Sequence, residues 1–207
     1  MNIRLTEKTK IKIQDADDIY GVMQRILLRE QKVDRGREHF WTISLDNANK
    51  ILNIELVSMG SFKATIVEPM EVFSIPLQKR AVKLILVHNH PSGTLKPSEA
   101  DKDITDHMIQ VGRIMKVPVL EHLIITESTC YSFAATGLLK ELEASTKYVP
   151  AFELKRRFEK AALDKGKEEG VKQGKKEMAK IMKVNREPIE KIIEYTGLTK
   201  VVINKLK

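Results

Sequence analysis

The segment at residues 87–101 constrains this 207-residue chain more than any other part of it. It follows the apolar run at residues 84–87, which is typical of a short buried strand. His88 and His90 stand two residues apart at the end of that run. Since alternate residues of a strand share one face, both imidazoles are expected to point into the same space.

A turn and a helix start are expected directly after these histidines. Pro91, Gly93 and Pro97 interrupt regular structure, and Ser98 suits a helix N-cap with Asp101 three residues on. A strand, a tight loop and a helix start can bring this aspartate back beside the histidines. Two imidazoles and one carboxylate, with a fourth position left to water, are the ligands of a catalytic zinc site.

The spacing His88-x-His90, seven residues, Ser98, two residues and Asp101 resembles the zinc motif of the JAMM (MPN-plus) metalloproteases. The longer form, His-Asn-His-Pro-Ser-Gly followed by Pro-Ser-x-x-Asp, resembles the RadC-like branch of that superfamily. The resemblance extends over about residues 37–139. Further segments that resemble this branch lie at residues 38–46, 60–61, 69–73 and 120–125.

The resemblance implies an α+β fold of three layers, in which a mixed β-sheet of the cytidine-deaminase-like type is flanked by helices. It also implies one Zn²⁺ per chain, held by His88, His90 and Asp101. The predicted organisation is an N-terminal strand and helix extension (1–35), a RadC-like metalloprotease domain (36–145) and a basic helical tail (150–207).

The activity implied by the resemblance is hydrolysis of a peptide or isopeptide bond by a water that zinc activates. Glu38 is the expected general base, and Glu71 is the alternative. Ser98 is expected to stabilise the oxyanion as well as to cap its helix, and Asp101 could equally serve only to complete a capping box. The physics of the motif would also allow attack on a phosphodiester. An inactive scaffold is disfavoured because all three ligands are present.

The other histidines are not expected to bind the metal. His107 is predicted to be a surface residue of the helix after the motif. For His122, beside Glu121, two roles stay open: an outer partner of the ligands, or a structural residue. No role is assigned to His39.

The basic charge of the chain is concentrated in its C-terminal part. The net charge is +8, yet residues 1–150 carry 20 Lys and Arg against 19 Asp and Glu. Residues 151–207 carry 16 against 9. This asymmetry predicts a nucleic-acid or other acidic partner for the tail, in line with the DNA-repair label of the RadC family. A solvated lysine-rich helix is the alternative, and no helix-hairpin-helix segment is found before the metal domain.

The tail is predicted to form one long charged helix at residues 151–184, followed by two short helices at 188–206 that resemble a minimal helix-turn-helix. Gly166, Gly170 and Gly174 recur within the long helix and weaken it, because glycine costs up to about 1 kcal/mol relative to alanine. A dimerisation or docking hairpin is the alternative to a DNA reader. The sequence does not predict the oligomeric state.

Cysteine content and hydropathy indicate in which cellular compartment the protein is expected. Cys130 is the single cysteine, so no intramolecular disulfide can form, which fits a reducing compartment. No apolar stretch approaches the roughly 20 residues that span a bilayer. The first residues also lack the apolar core of a signal peptide. The expectation is therefore a cytoplasmic protein without a membrane partner.

Overall fold

The computed structural model describes residues 2–3, 11–60, 67–184 and 186–206. The chain divides into two compact units, Met1–Val149 and Pro150–Lys207. In the described part of the first unit the strands are β1 (Asn2–Ile3), β2 (Glu38–Leu45), β3 (Ile51–Gly60), β4 (Lys83–Asn89), β5 (Val119–Ile125) and β6 (Cys130–Ser132). Its helices are α1 (Ala16–Leu27), α2 (Lys32–Arg35), α3 (Pro69–Gln78), α4 (Glu99–Met115) and α5 (Leu138–Glu143).

The strands of the first unit form a mixed sheet in the order β1-β3-β2-β4-β5-β6. β4 and β5 run parallel, and every other neighbouring pair is antiparallel. A parallel pair needs a crossover connection, and α4 provides it between β4 and β5. The motif therefore lies where the crossover begins, at the end of a central strand.

Each face of the sheet packs against its own apolar cluster. Alternation along β2 places Phe40 in one cluster and Trp41 in the other. The Trp41 side is covered by α1, which buries Ile19, Val22, Met23, Ile26 and Leu27. The Phe40 side is covered by residues of α3, α4 and α5. Helices on both faces of a mixed sheet confirm the predicted three-layer α+β fold.

Local sequence explains why α1 and α4 begin where they do. The Asp15 side chain accepts a hydrogen bond from the Asp18 N–H at 3.0 Å and caps α1. Ser98 caps α4, and the sequence of residues 99–115 predicts a helix with the bounds that are observed. In α4 the buried residues Thr105, Met108, Ile109 and Gly112 recur at helical spacing, so one face of this helix packs inward.

Two segments of the first unit differ from the sequence prediction. The polar sequence of residues 31–37 predicts a connector, but these residues contain the short helix α2. The apolar runs at residues 117–120 and 123–126 predict two strands, but residues 119–125 form one strand, β5. Glu121 and His122, the polar pair between those runs, are both buried in the middle of that strand.

The second unit consists, in its described part, of α6 (Ala151–Val184), α7 (Ile189–Thr196) and α8 (Lys200–Lys205). Gly197 ends α7 with a φ of 66°, a left-handed conformation that glycine adopts without strain. Pro188 is the N-cap of α7, one position before the predicted first turn. A small cluster of Ala179, Ile192 and Ile203 holds the three helices together.

None of the described helices combines the length and the apolar character that a bilayer span requires.

Candidate metal centre

β4 delivers two imidazoles to one point, as the alternation of the sequence predicts. The Nε2 atoms of His88 and His90 lie 3.0 Å apart. The backbone N–H of His90 donates to the Ile125 carbonyl at 3.0 Å, which extends the pairing with β5 past the end of β4. A turn closes immediately afterwards, since the Gly93 N–H donates to the His90 carbonyl.

Asp101 comes back beside the histidines from the first turn of α4. Its Oδ1 lies 3.1 Å from Nε2 of His88, and its Oδ2 lies 3.6 Å from Nε2 of His90. The same side chain accepts the Ser98 N–H at 2.6 Å, while Ser98 Oγ accepts the Asp101 N–H at 3.2 Å. The two readings of Asp101 are therefore compatible, because the capping box aims the carboxylate at the imidazoles.

The arrangement fits a tetrahedral metal ion. Ligand atoms about 2.0–2.1 Å from zinc are separated by roughly 3.3 Å along a tetrahedral edge. The Nε2–Nε2 separation of 3.0 Å and the separation of 3.1 Å between Asp101 Oδ1 and His88 Nε2 are close to that value. The remaining ring nitrogens are occupied elsewhere: His88 Nδ1 lies 2.8 Å from Nε2 of His122, and His90 Nδ1 lies 2.6 Å from the Thr94 carbonyl. Outer partners of this kind leave the Nε2 atoms to face the ion. His88, His90 and Asp101 thus form a possible metal-binding triad.

Electrostatics favour a neutral His88 and an ionised Asp101, the forms in which these two residues bind a cation. Burial lowers the pKa of His88 and so favours its neutral form. Burial alone would raise the pKa of Asp101, but its close contacts with His88 and His90 and its hydrogen bond from Ser98 outweigh that effect and hold the pKa far below the usual range. The hydrogen bond with Asp101 raises the pKa of His90. The site therefore attracts positive charge, which a metal ion would supply in place of a proton.

Glu38, the predicted general base, begins β2 beside the histidines. β2 is antiparallel to β4 with Phe40 opposite His88, so Glu38, two residues earlier on the same face, lies at the level of His90. The pKa of His90 is raised first by Asp101, and the negative charge of Glu38 adds to that effect.

The buried side chain of Asn89 fixes the backbone around Glu38. Its Oδ1 accepts the His39 N–H at 2.7 Å, and its Nδ2 donates to the Arg37 carbonyl at 2.9 Å. Both neighbours of Glu38 are therefore tied to the end of β4. Glu71, the alternative base, is exposed in the first turn of α3. Glu38 stays the predicted base and Glu71 the alternative.

The other histidines have roles that sequence reasoning left open or missed. His39 stacks on Trp41 with ring centroids 5.0 Å apart. His107 is half-buried rather than a surface residue, because it stacks on Tyr148 at 4.4 Å. His122 is fully buried against His88, so it is an outer partner of the ligands. In the sequence, the sign that His122 has a role is its position beside Glu121 inside the otherwise apolar run of β5.

Clefts open on both sides of the loop between β4 and α4. One, of about 270 Å³, is lined by Asn89, His90, Pro91 and Gly93 together with Arg35 and residues 126–129. The other, of about 620 Å³, is lined by Leu95, Lys96 and Pro97 together with Tyr131 and Leu138 among others. The smaller cleft contains His90, so it opens beside the candidate metal site.

Comparison with known families agrees with this architecture. A family model described as "RadC-like JAB domain" matches residues 13–138. The chain belongs to the RadC-like JAB domain family. That match contains the strands β2–β6 and all three candidate ligands, and it ends before α6.

Curated relatives carry family names that state no activity. A UPF0758 protein of Pelodictyon phaeoclathratiforme is 38% identical over 128 residues, which are 62% of this chain and 55% of the relative. One of Flavobacterium johnsoniae is 42% identical over 127 residues, 61% and 53% of the two chains. One of Methanosarcina barkeri is 39% identical over 134 residues, 65% and 56%. The match thus spans little more than half the length of these relatives.

Proposed function

We propose that this RadC-like protein is a zinc-dependent hydrolase that cleaves peptide or isopeptide bonds. The observation that carries the proposal is the convergence of His88, His90 and Asp101 at separations of 3.0–3.6 Å at the end of β4. Their donor atoms suit zinc, and the cleft that contains His90 gives a protein segment access.

Two further side chains would perform the proton and charge chemistry. Bound zinc supplies a Lewis acid that polarises a carbonyl and makes water a stronger nucleophile. Glu38, half-buried at the level of His90, takes the proton from the attacking water and passes it to the leaving amine. Ser98 Oγ accepts the Asp101 N–H, so its own O–H can donate to the oxygen of the tetrahedral intermediate.

Metal content and turnover can be measured on the same set of variants. Wild type and Glu38→Gln are expected to contain about one zinc per chain, as a site with three protein ligands predicts. His90→Ala and Asp101→Ala should lose the metal, whereas His107→Ala should keep it. Elemental analysis measures the metal, and circular dichroism checks the fold.

Hydrolysis should fall by about 10²–10⁴-fold in Glu38→Gln, because a general base contributes about that much. Glu71→Gln is the matched control and should retain wild-type rates. The substrates would be a fluorogenic peptide library and an isopeptide-linked ubiquitin-like conjugate. A zinc-loaded wild type that cleaves a phosphodiester and neither amide substrate would contradict the peptidase proposal.

A second function, nucleic-acid binding, is proposed for the tail. The specific observation is that α7 and α8 form a helix pair around the left-handed turn at Gly197, packed on a lysine-rich α6. A depression of about 440 Å³ on this unit is lined by Lys167, Glu168, Lys172, Lys175 and Leu198. Exposed lysines beside such a helix pair suit contacts with phosphates.

Salt dependence separates this binding from a lysine-rich solvated helix. The double variant Lys172→Glu, Lys175→Glu should bind a labelled DNA duplex more weakly, with the slope of log K against log salt reduced by about two. Lys79→Glu, Lys140→Glu makes the same charge change on exposed residues of the first unit and should leave binding unchanged. Equal losses in both double variants would show that only net charge matters.

A further inference from the structure

A buried chain of hydrogen bonds connects one metal ligand to another. His88 Nδ1 lies 2.8 Å from Nε2 of His122, and His122 Nδ1 lies 2.6 Å from Oγ1 of Thr105. The Thr105 hydroxyl in turn donates to the backbone carbonyl of Asp101. His122 and Thr105 are fully buried, so these groups bond to one another and not to water.

The direction of these hydrogen bonds follows from the last acceptor, the backbone carbonyl of Asp101. A carbonyl oxygen can only accept, so the hydroxyl hydrogen of Thr105 must point to Asp101. Thr105 Oγ1 is then left as the acceptor for His122, whose Nδ1 must carry the hydrogen. The neutral form of this buried ring therefore has a bare Nε2, which accepts the hydrogen on Nδ1 of His88.

The direction of these hydrogen bonds decides which ring nitrogen of His88 carries no hydrogen. A neutral imidazole carries one hydrogen, and the chain places it on Nδ1. The lone pair of Nε2 is thereby directed at His90 and Asp101, where a metal ion would be held. The opposite direction would place a hydrogen on Nε2 of His88 and block coordination.

We infer that His122 and Thr105 are positioning residues that hold His88 in its metal-binding tautomer through a one-way chain of hydrogen bonds. The inference rests on the proposed metal centre and adds two residues on different elements to it. Phe133 stacks on the His122 ring with centroids 4.7 Å apart, and the backbone N–H of His122 donates to the Glu121 carboxylate at 2.8 Å. The ring is thus held in one orientation, as an outer ligand partner should be.

If His122 had only a structural role, a side chain with the shape of its ring would be sufficient. The His122 ring packs edge-on against Phe40 at 5.8 Å and stacks on Phe133, so an apolar ring would fill its space. Burying an imidazole there has a cost unless both nitrogens are bonded. The two roles therefore differ in one property, the position of the hydrogen on His88, and that property can be measured.

Thr105→Val and Thr105→Ser form the matched pair for the test. Valine keeps the shape and removes the hydroxyl, so His122 can move its hydrogen to Nε2 and donate to His88. Serine keeps the chain. In metal-free protein, long-range ¹H–¹⁵N NMR of the imidazoles should show the hydrogen of His88 on Nδ1 in wild type and Thr105→Ser, and on Nε2 in a substantial fraction of Thr105→Val.

Zinc affinity provides the second readout. Competition with a chromophoric chelator should show a Kd weakened by about 10–100-fold in Thr105→Val and within a few-fold of wild type in Thr105→Ser. His122→Phe should behave like the valine variant, and His122→Gln, which offers an acceptor and a donor, should recover part of the loss. Wild-type affinity and an unchanged His88 tautomer in a folded Thr105→Val would overturn the inference.

These readouts concern the ligand and the ion and not turnover, so they separate the inference from the proposed peptidase. A wild type that binds zinc with the expected variant pattern but cleaves no amide would remove the peptidase and retain the positioning role. A wild type that binds no zinc would remove both.

Discussion

At the scale of single residues, Glu121 stabilises the part of β5 that carries His122. Its carboxylate accepts the backbone N–H groups of His122 and Ala134 at 2.8 and 3.0 Å and the Ser132 hydroxyl at 2.5 Å. Burial nevertheless raises the pKa of Glu121, and these hydrogen bonds only partly oppose the shift. Glu121 therefore has well-placed hydrogen-bond donors around it, but its buried negative charge is unfavourable.

The raised pKa of Glu121 predicts how stability depends on pH. Between the ordinary carboxyl pKa and the raised one, the folded state binds a proton that the unfolded state has lost, so this contribution to the unfolding free energy falls as pH rises. Glu121→Gln keeps an acceptor for both N–H groups and should remove that slope. Urea unfolding followed by Trp41 fluorescence between about pH 4 and 8 measures it. Parallel pH profiles for wild type and variant would contradict the prediction.

The candidate ligands could be predicted from sequence because their geometry is local. His88 and His90 share one strand face, and Ser98 and Asp101 share one helix turn, so spacing alone relates them. Thr105 and His122 lie on different elements, and their contact depends on how α4 packs on β5. Sequence periodicity carries no information about such a contact, and the hydrogen-bond chain was therefore missed.

At the scale of elements, the chain turns back closely against α4 directly after that helix ends at Met115. Gly112 lies in α4 where an added Cβ would come within 2.6 Å of the Val117 carbonyl oxygen and 3.5 Å of the Val119 nitrogen. The obstructing atoms belong to the backbone and cannot rotate away. A glycine in this helix is thus required by packing, despite its poor helix propensity.

Gly112→Ala is expected to lower the unfolding free energy by about 1–3 kcal/mol, as overpacking does. Gly21→Ala in α1 is the control, since an added Cβ there meets nothing within 4 Å. It should raise stability by up to about 1 kcal/mol through helix propensity. Urea unfolding measured by Trp41 fluorescence gives both values. A loss of the same size at both positions would show that Gly112 is not limited by packing.

A helix with a clear apolar period was predicted well from the sequence. A strand whose polar residues need partners on other elements was not. The bounds of α4 agree with prediction because its apolar residues recur at helical spacing. The long charged segment at residues 151–184 is helical as predicted, although it has little apolar period. β5 was predicted as two strands because Glu121 and His122 are polar. Their partners lie on β6, β4 and α4, and bonding to those partners makes burial of the polar pair favourable.

At the scale of the whole molecule, the two compact units differ in how much core they possess. The first unit buries apolar clusters on both faces of its sheet, whereas the fully buried apolar residues described in the second are Ala179, Ile192 and Ile203. A core of a unit this small rarely supplies more than about 3–5 kcal/mol. The tail helices should therefore be the first part of the chain to unfold.

Ile192→Ala tests this difference between the units. Truncating a buried isoleucine costs about 2–5 kcal/mol, which is comparable with all the stability that the second unit can have. We expect the amide NMR signals of α7 and α8 to collapse to unfolded positions while the Trp41 unfolding curve and the zinc Kd stay at wild-type values. Val201→Ala truncates an exposed side chain of α8 and should change neither. A shifted Trp41 curve in Ile192→Ala would instead show that the core of the first unit depends on the tail.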